Sequence, residues 1–159
     1  MADIYSGEGG IEAMISNRCY YALKAVLELA KKEGSGLATI SQIAEAQHIP
    51  ARFLEAILIQ LKKGGFASSV RGKEGGYALA RPAKSITVGD IVRVFEGPIC
   101  SLGPSDGGRR KRGGETPEPF GDIWAKADNA LSSVLDKIHF AELAEKDRKA
   151  SEGHANYVI

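Results

Sequence analysis

Residues 61–80 read Leu61-Lys62-Lys63-Gly64-Gly65-Phe66-Ala67-Ser68-Ser69-Val70-Arg71-Gly72-Lys73-Glu74-Gly75-Gly76-Tyr77-Ala78-Leu79-Ala80. The paired glycines Gly64-Gly65 stop any helix that precedes them, because glycine leaves a helix interior too much freedom to lose. Phe66 to Arg71 then reads as a strand, and Gly75-Gly76 leads into a second one, Tyr77 to Ala80. Two short runs joined by a glycine-bearing loop predict a β-hairpin. Arg81-Pro82 ends it, since proline brings no N–H to a ladder.

Upstream, Pro50 suits the first turn of a helix, where its missing N–H is harmless. Leu54, Ile57, Leu58 and Leu61 then recur at helical spacing and predict a buried stripe. Before that comes a tight turn, Gln47-His48-Ile49. Thr39-Ile40-Ser41-Gln42 has capping-box spacing, so a short helix is expected to run to about Ala46. Helix, short turn and helix make a helix-turn-helix. Ser16 is placed to cap an earlier helix whose apolar stripe is Cys19, Ala22, Leu23, Val26, Leu27 and Ala30, ending at Gly34 to Gly36. Downstream of the hairpin, Thr87 caps another helix with Val88, Ile91, Val92 and Phe95 on one face, and Gly97 follows its end. The fold class expected is mainly α with a small β-hairpin wing: a winged helix-turn-helix plus a long dimerisation helix.

That domain spans 14–96. Residues 1–13 carry three glycines and no periodicity and are expected to be a disordered extension. Residues 97–119 are rich in Gly and Pro, hold the run Arg109-Arg110-Lys111-Arg112, and read as a flexible loop. A long helix is expected over 120–145. In it Trp124, Leu131 and Ile138 are spaced by seven, as are Ala127, Val134 and Ala141, which makes an a/d-type seam. The seam serves a homodimer, or alternatively a fold-back onto the same chain. Residues 146–159 form a mostly polar tail ending Asn156-Tyr157-Val158-Ile159.

Composition narrows the function classes. No run of 18 apolar residues occurs, so no membrane span is expected. No basic-then-apolar leader opens the chain, and two cysteines among 159 residues are too few for a disulfide framework, so a cytoplasmic protein is expected. The net charge of +1 hides an asymmetry: Met14 to Phe95 holds 12 Lys and Arg against 6 Asp and Glu, a net of +6 that suits a polyanion such as double-stranded DNA. An enzyme is not expected. No nucleophile–base pairing or metal-ligand spacing is present, and Gly72 to Gly76 lies in a hairpin rather than between strand and helix.

The second helix of the helix-turn-helix is the one that enters the major groove. Its outward face carries Arg52, Glu55, Ala56 and Lys63. Arg52 suits guanine or phosphate. Glu55 is repelled by phosphate, so it either accepts from cytosine N4 or is an ordinary solvated charge. At the wing tip, Arg71 and Lys73 suit a narrow minor groove, and Ser68 and Ser69 can donate to phosphates.

Phe53-Leu54-Glu55, the run Leu61 to Gly72, and Gly75 to Ala80 together resemble the recognition helix and wing of the Rrf-two (Rrf2) family. Tyr21-Ala22-Leu23 with Leu29-Ala30, and Ile86 to Ile91, resemble its first and post-wing helices. The resemblance implies a homodimeric bacterial transcription regulator, often a repressor, with a long crossed dimer helix built here on Trp124, Ala127, Leu131, Val134 and Ile138. It implies that Glu55 discriminates between DNA sites, although the glutamine that follows it in iron–sulfur members is Ala56 here. Many relatives hold an iron–sulfur cluster through three cysteines after the post-wing helix. Only Cys100 stands there, and His139 and His154 do not supply the spacing, so no cofactor is expected. Cys100 is then a redox thiol, a link between protomers, or an inert loop residue, while Cys19 belongs to the core. The family's cluster-free subgroup implies a repressor of cysteine and sulfur metabolism genes, controlled by cysteine synthase (O-acetylserine sulfhydrylase). Tyr157, Val158 and Ile159 would be its docking tail. The alternatives are a thiol redox sensor using Cys100 and an adaptor that does not bind DNA.

Overall fold

The computed structural model describes residues 15–97 and 120–155. Its elements run α1 (Asn17–Lys31), α2 (Ile40–Gln47), α3 (Ala51–Lys63), β1 (Ala67–Val70), β2 (Gly76–Leu79), a 3-10 turn (Ala83–Ser85), α4 (Val88–Glu96), α5 (Gly121–Leu135) and α6 (Phe140–Ala155). Cys100, the Arg109 to Arg112 run, the extension 1–13 and the tail residues Tyr157, Val158 and Ile159 lie outside the described residues.

The helix starts are set by local chemistry. The Ser16 hydroxyl accepts from the Cys19 N–H and caps α1. Thr39 with Gln42, and Thr87 with Asp90, form reciprocal capping boxes at α2 and α4. Each satisfies two backbone donors that a helix start otherwise leaves unpaired. α2 ends on His48, held in the left-handed region at φ 52° and ψ 46°, which turns the chain sharply into α3.

The stripe expected on α3 is fully buried: Leu54, Ile57, Leu58 and Leu61 meet Ala22, Val26 and Leu29 of α1, Ile43 of α2 and Ile91 of α4. The buried face of α1 is wider than its sequence stripe. Ala25 and Leu29 are buried alongside Cys19, Ala22, Val26 and Ala30, whereas Leu23 and Leu27 are half-buried. The reason is α6, which packs on α1 and sends Phe140 and Ala144 into the core. Lys31 of α1 reaches Asp147 of α6 at 2.9 Å. Glu28 is the buried charge of this interface. Lys31 at 3.1 Å and the Gln47 amide at 2.9 Å partner it, which is what lets a carboxylate stay inside.

The single long helix expected over 120–145 is in fact two. α5 ends at Leu135, and residues 138–140 pair with 86–88: the Val88 N–H donates to the Ile138 carbonyl at 2.9 Å, and the Phe140 N–H to the Ile86 carbonyl at 3.0 Å. A helix running unbroken through 138–140 would need the Phe140 N–H for the carbonyl four residues back, so the bridge ends one helix and lets the next begin at Phe140. The Asp136 carboxylate fixes the corner by a two-pronged pair with Arg93 of α4, at 2.7 and 2.8 Å. Trp124, Ala127, Leu131 and Val134 therefore share α5, but Ile138 lies in the extended link and Ala141 on α6. The tail expected from 146 is helical to Ala155.

Candidate nucleic-acid interface

α3 presents to solvent the side opposite its core stripe. Arg52, Glu55, Ala56, Ile59, Lys62 and Lys63 are all exposed. The Arg52 guanidinium lies 4.7 Å from the centroid of the Phe53 ring, and Phe53 stacks on Tyr21 of α1 with centroids 6.3 Å apart. An aromatic ledge thus supports the cation while leaving its donors outward. Glu55 makes no ion pair or hydrogen bond with any described residue. On a face whose other charges are all cations, that carboxylate is an open acceptor.

The wing is the two-stranded antiparallel sheet, with Ala67 opposite Leu79 and Val70 opposite Gly76. Arg71, Gly72, Lys73 and Glu74 at its tip are exposed. Gly72 adopts φ +121°, a conformation that side-chain-bearing residues rarely enter, and its carbonyl accepts from the Gly75 N–H at 3.0 Å to close the turn. The hairpin is tied to the body near its turn, through Tyr77, and its base is closed by Arg81 and Phe66. Tyr77 and Ala38 exchange two backbone hydrogen bonds of 2.8 and 2.9 Å, and the Arg81 guanidinium covers the Phe66 ring at 4.3 Å.

The structure separates Ser68 from Ser69. Side chains alternate along a strand, so the exposed Ser68 and the half-buried Ser69 face opposite sides of the hairpin. Ser69 accepts from the Lys62 ammonium at 2.6 Å, which ties the end of α3 to β1. Sequence reasoning named Lys63 and missed Lys62. Its role depends on the helix–strand angle, which no spacing in the sequence encodes. The wing tip and the outer face of α3, with Arg52, Glu55, Lys63, Arg71 and Lys73, are exposed without other ion-pair partners among the described residues.

Cys19 is buried in the first turn of α1. Burial pushes its thiol up to about 12, with the nearby Glu96 carboxylate adding to the shift. Glu96 itself accepts from both the N–H and the hydroxyl of Ser16. A thiol so protonated is a packing group and not a nucleophile.

Comparison with known proteins follows the same outline. The Rrf2 family profile, described as iron-dependent transcriptional regulator, matches residues 15–146. Over 145 residues the chain is 32% identical to the HTH-type transcriptional regulator CymR of Bacillus subtilis (strain 168), covering 91% of this chain and 99% of that protein. The solved structure of that CymR, described as the global cysteine regulator, superposes with a TM-score of 0.70 over 86% of this chain and 98% of that one, at 32% identity. T. potens IscR superposes at 0.69 with 33% identity, over 91% and 93%. Staphylococcus aureus CymR in its oxidized form superposes at 0.64 with 34% identity, over 82% and 95%.

The family description speaks of iron, and the donors of this chain do not fit a cluster held by three cysteines. It has two cysteines in all, and the core holds Cys19 protonated. Among the described residues, no three His, Cys, Asp or Glu side chains gather where they could hold a metal ion.

Proposed function

The chain belongs to the Rrf2 family of helix-turn-helix transcriptional regulators, and from that premise we propose that it is a homodimeric repressor of cysteine and sulfur metabolism genes. Arg52, Glu55 and Lys63 on α3 would sit in the major groove, with Arg71 and Lys73 of the wing at the adjacent minor groove. Ser68 and Ser69 would meet backbone phosphates from the two sides of the hairpin. The observation that carries this reading is the outer face of α3, where cations flank the carboxylate of Glu55, which has no partner among the described residues. A phosphate-binding face has no use for a carboxylate unless a base donor meets it.

The dimer is supported by α5. None of its residues is buried, and Ile123 and Val134 are 53% and 57% exposed. Trp124, Ala127, Leu131 and Val134 form a seam that a second copy would cover, while Ile138 would contribute only from the link. The sulfur assignment is supported by the full-length likeness to CymR, described as a global cysteine regulator; the proposed partner, cysteine synthase, would be taken through Tyr157, Val158 and Ile159.

The test is binding to promoter duplexes from sulfur-metabolism genes by fluorescence anisotropy at several stated salt concentrations. Arg52→Ala with Arg71→Ala should weaken binding at least ~30-fold, from about 1 kcal/mol or more per contact. Retained affinity refutes the interface. Deleting Ile159 should abolish cysteine synthase binding in calorimetry, and unchanged heat removes that partner.

A second reading is a thiol sensor. It is favoured by the likeness to an oxidized form of S. aureus CymR. Burial bars Cys19 from that role, so the response would fall on Cys100, and Cys100→Ser should abolish any oxidant effect on DNA binding.

A further inference from the structure

We infer that Ile59, with Ala56 beside it, reads thymine methyl groups in the major groove. This rests on α3 being the recognition helix, as proposed above. Ile59 is 46% exposed on a helix whose core stripe is already complete in Leu54, Ile57, Leu58 and Leu61. At about 100° per residue, Ile59 points roughly 150° away from the centre of that stripe. No rotation of α3 could bury it without exposing leucines. The rotation is also pinned from two sides. The Gln60 amide donates to the Val94 carbonyl at 2.9 Å, and Lys62 donates to Ser69 at 2.6 Å.

Arg52, Ala56, Ile59 and Lys63 are the residues that face most directly outward. From Arg52 to Ile59 the helix advances about 10 Å, which fits within a major groove about 12 Å wide. A small and a branched apolar side chain adjacent at i and i+3 make a dry patch between two cations. In the major groove the one apolar feature of a base pair is the thymine C5 methyl. Ile59 sits about 6 Å along the axis from Glu55, or about two base-pair steps of 3.4 Å. The methyl it reads should therefore lie within two base pairs of the base that donates to Glu55.

The probe is the tightest duplex selected from a randomised pool with the full chain. Each thymine is replaced in turn by deoxyuridine, which removes only the methyl. Wild-type protein should lose about fourfold at one thymine of each half-site, the effect of uncovering one buried methyl. With Ile59→Ala that loss should vanish. Ile59→Val should keep most of it, and the salt dependence should be the same for all three. Equal loss in wild type and Ile59→Ala, or no loss at any thymine, overturns the inference even where Arg52→Ala weakens binding as expected. Failure to select any duplex would overturn the DNA-binding reading as well.

Discussion

Alanine in place of Gly76 would drive a methyl group into the backbone that anchors the wing. A Cβ there would stand 2.8 Å from the Ala38 carbonyl oxygen, 3.0 Å from its carbon and 3.1 Å from Leu37 Cβ. Two of these atoms are backbone, so no rotamer change relieves the clash. Restoring ordinary contact needs a shift of about half an ångström, and the bonds that suffer are the 2.8 and 2.9 Å pair between Ala38 and Tyr77. Lengthened by that much they leave the hydrogen-bonding range. Two such bonds contribute about 1–3 kcal/mol together. Alanine returns about 0.4–1 kcal/mol by restricting the unfolded chain. The central expectation is a net loss of about 1.3 kcal/mol, read as a lower urea midpoint at unchanged slope. The wing should also lose its hold on the body. In DNA binding, the plot of log affinity against log salt should then flatten by up to the counterions that about two cations displace, those of Arg71 and Lys73 in the minor groove. A Gly76→Ala protein as stable as wild type, with the same salt dependence, would refute the proposed role of this bridge. Gly121→Ala, where nothing stands within 4 Å, is the control and should not destabilise.

The Arg93 guanidinium beside Asp136 holds that carboxyl below its ordinary value of 3.8. Both side chains are about two-fifths exposed, so solvent screens the pair and Asp136→Asn should cost no more than about 1 kcal/mol. A depressed carboxylate stabilises above its unfolded value, so the gap between wild type and Asp136→Asn should be present at neutral pH. It should close as pH falls below 3.8 through the lowered value, measured by urea midpoints across that range. Cys19 has the opposite sign. Its thiol rises from 9.0 to about 12, so its contribution is complete below 9.0 and is lost as pH climbs towards 12. In the native protein at pH 8 the Cys19 peptide should resist iodoacetamide, and mass spectrometry should find it alkylated only after urea is added; rapid native labelling would contradict its burial.

The parts of this protein legible in its sequence are those decided within a few residues. Ser16, Thr39 and Thr87 cap helices because a hydroxyl three positions from a free N–H can reach it in any context. Leu54, Ile57, Leu58 and Leu61 announce the buried side of α3 by period alone, and the outer side follows from it, so Arg52, Glu55 and Lys63 could be named without coordinates. Ile59 was equally readable from that period but was hidden by its chemistry, since an isoleucine is assigned to a core by default.

What only the tertiary structure decided concerns residues far apart in the chain. Seven-residue spacing from Trp124 to Ile138 is a helical signal, yet the pairing of 138–140 with 86–88 interrupts it, because those backbone groups find better-placed partners some fifty residues away. The packing of α6 on α1, the burial of Glu28 and the choice of Lys62 over Lys63 as the tie to the wing follow from the same cause. Local hydrogen bonds and hydrophobic period specify which elements form and which side of each is wet. How those elements meet is a property of the packed whole, and in this chain it leaves α5 without a buried residue and sets the wing beside α3.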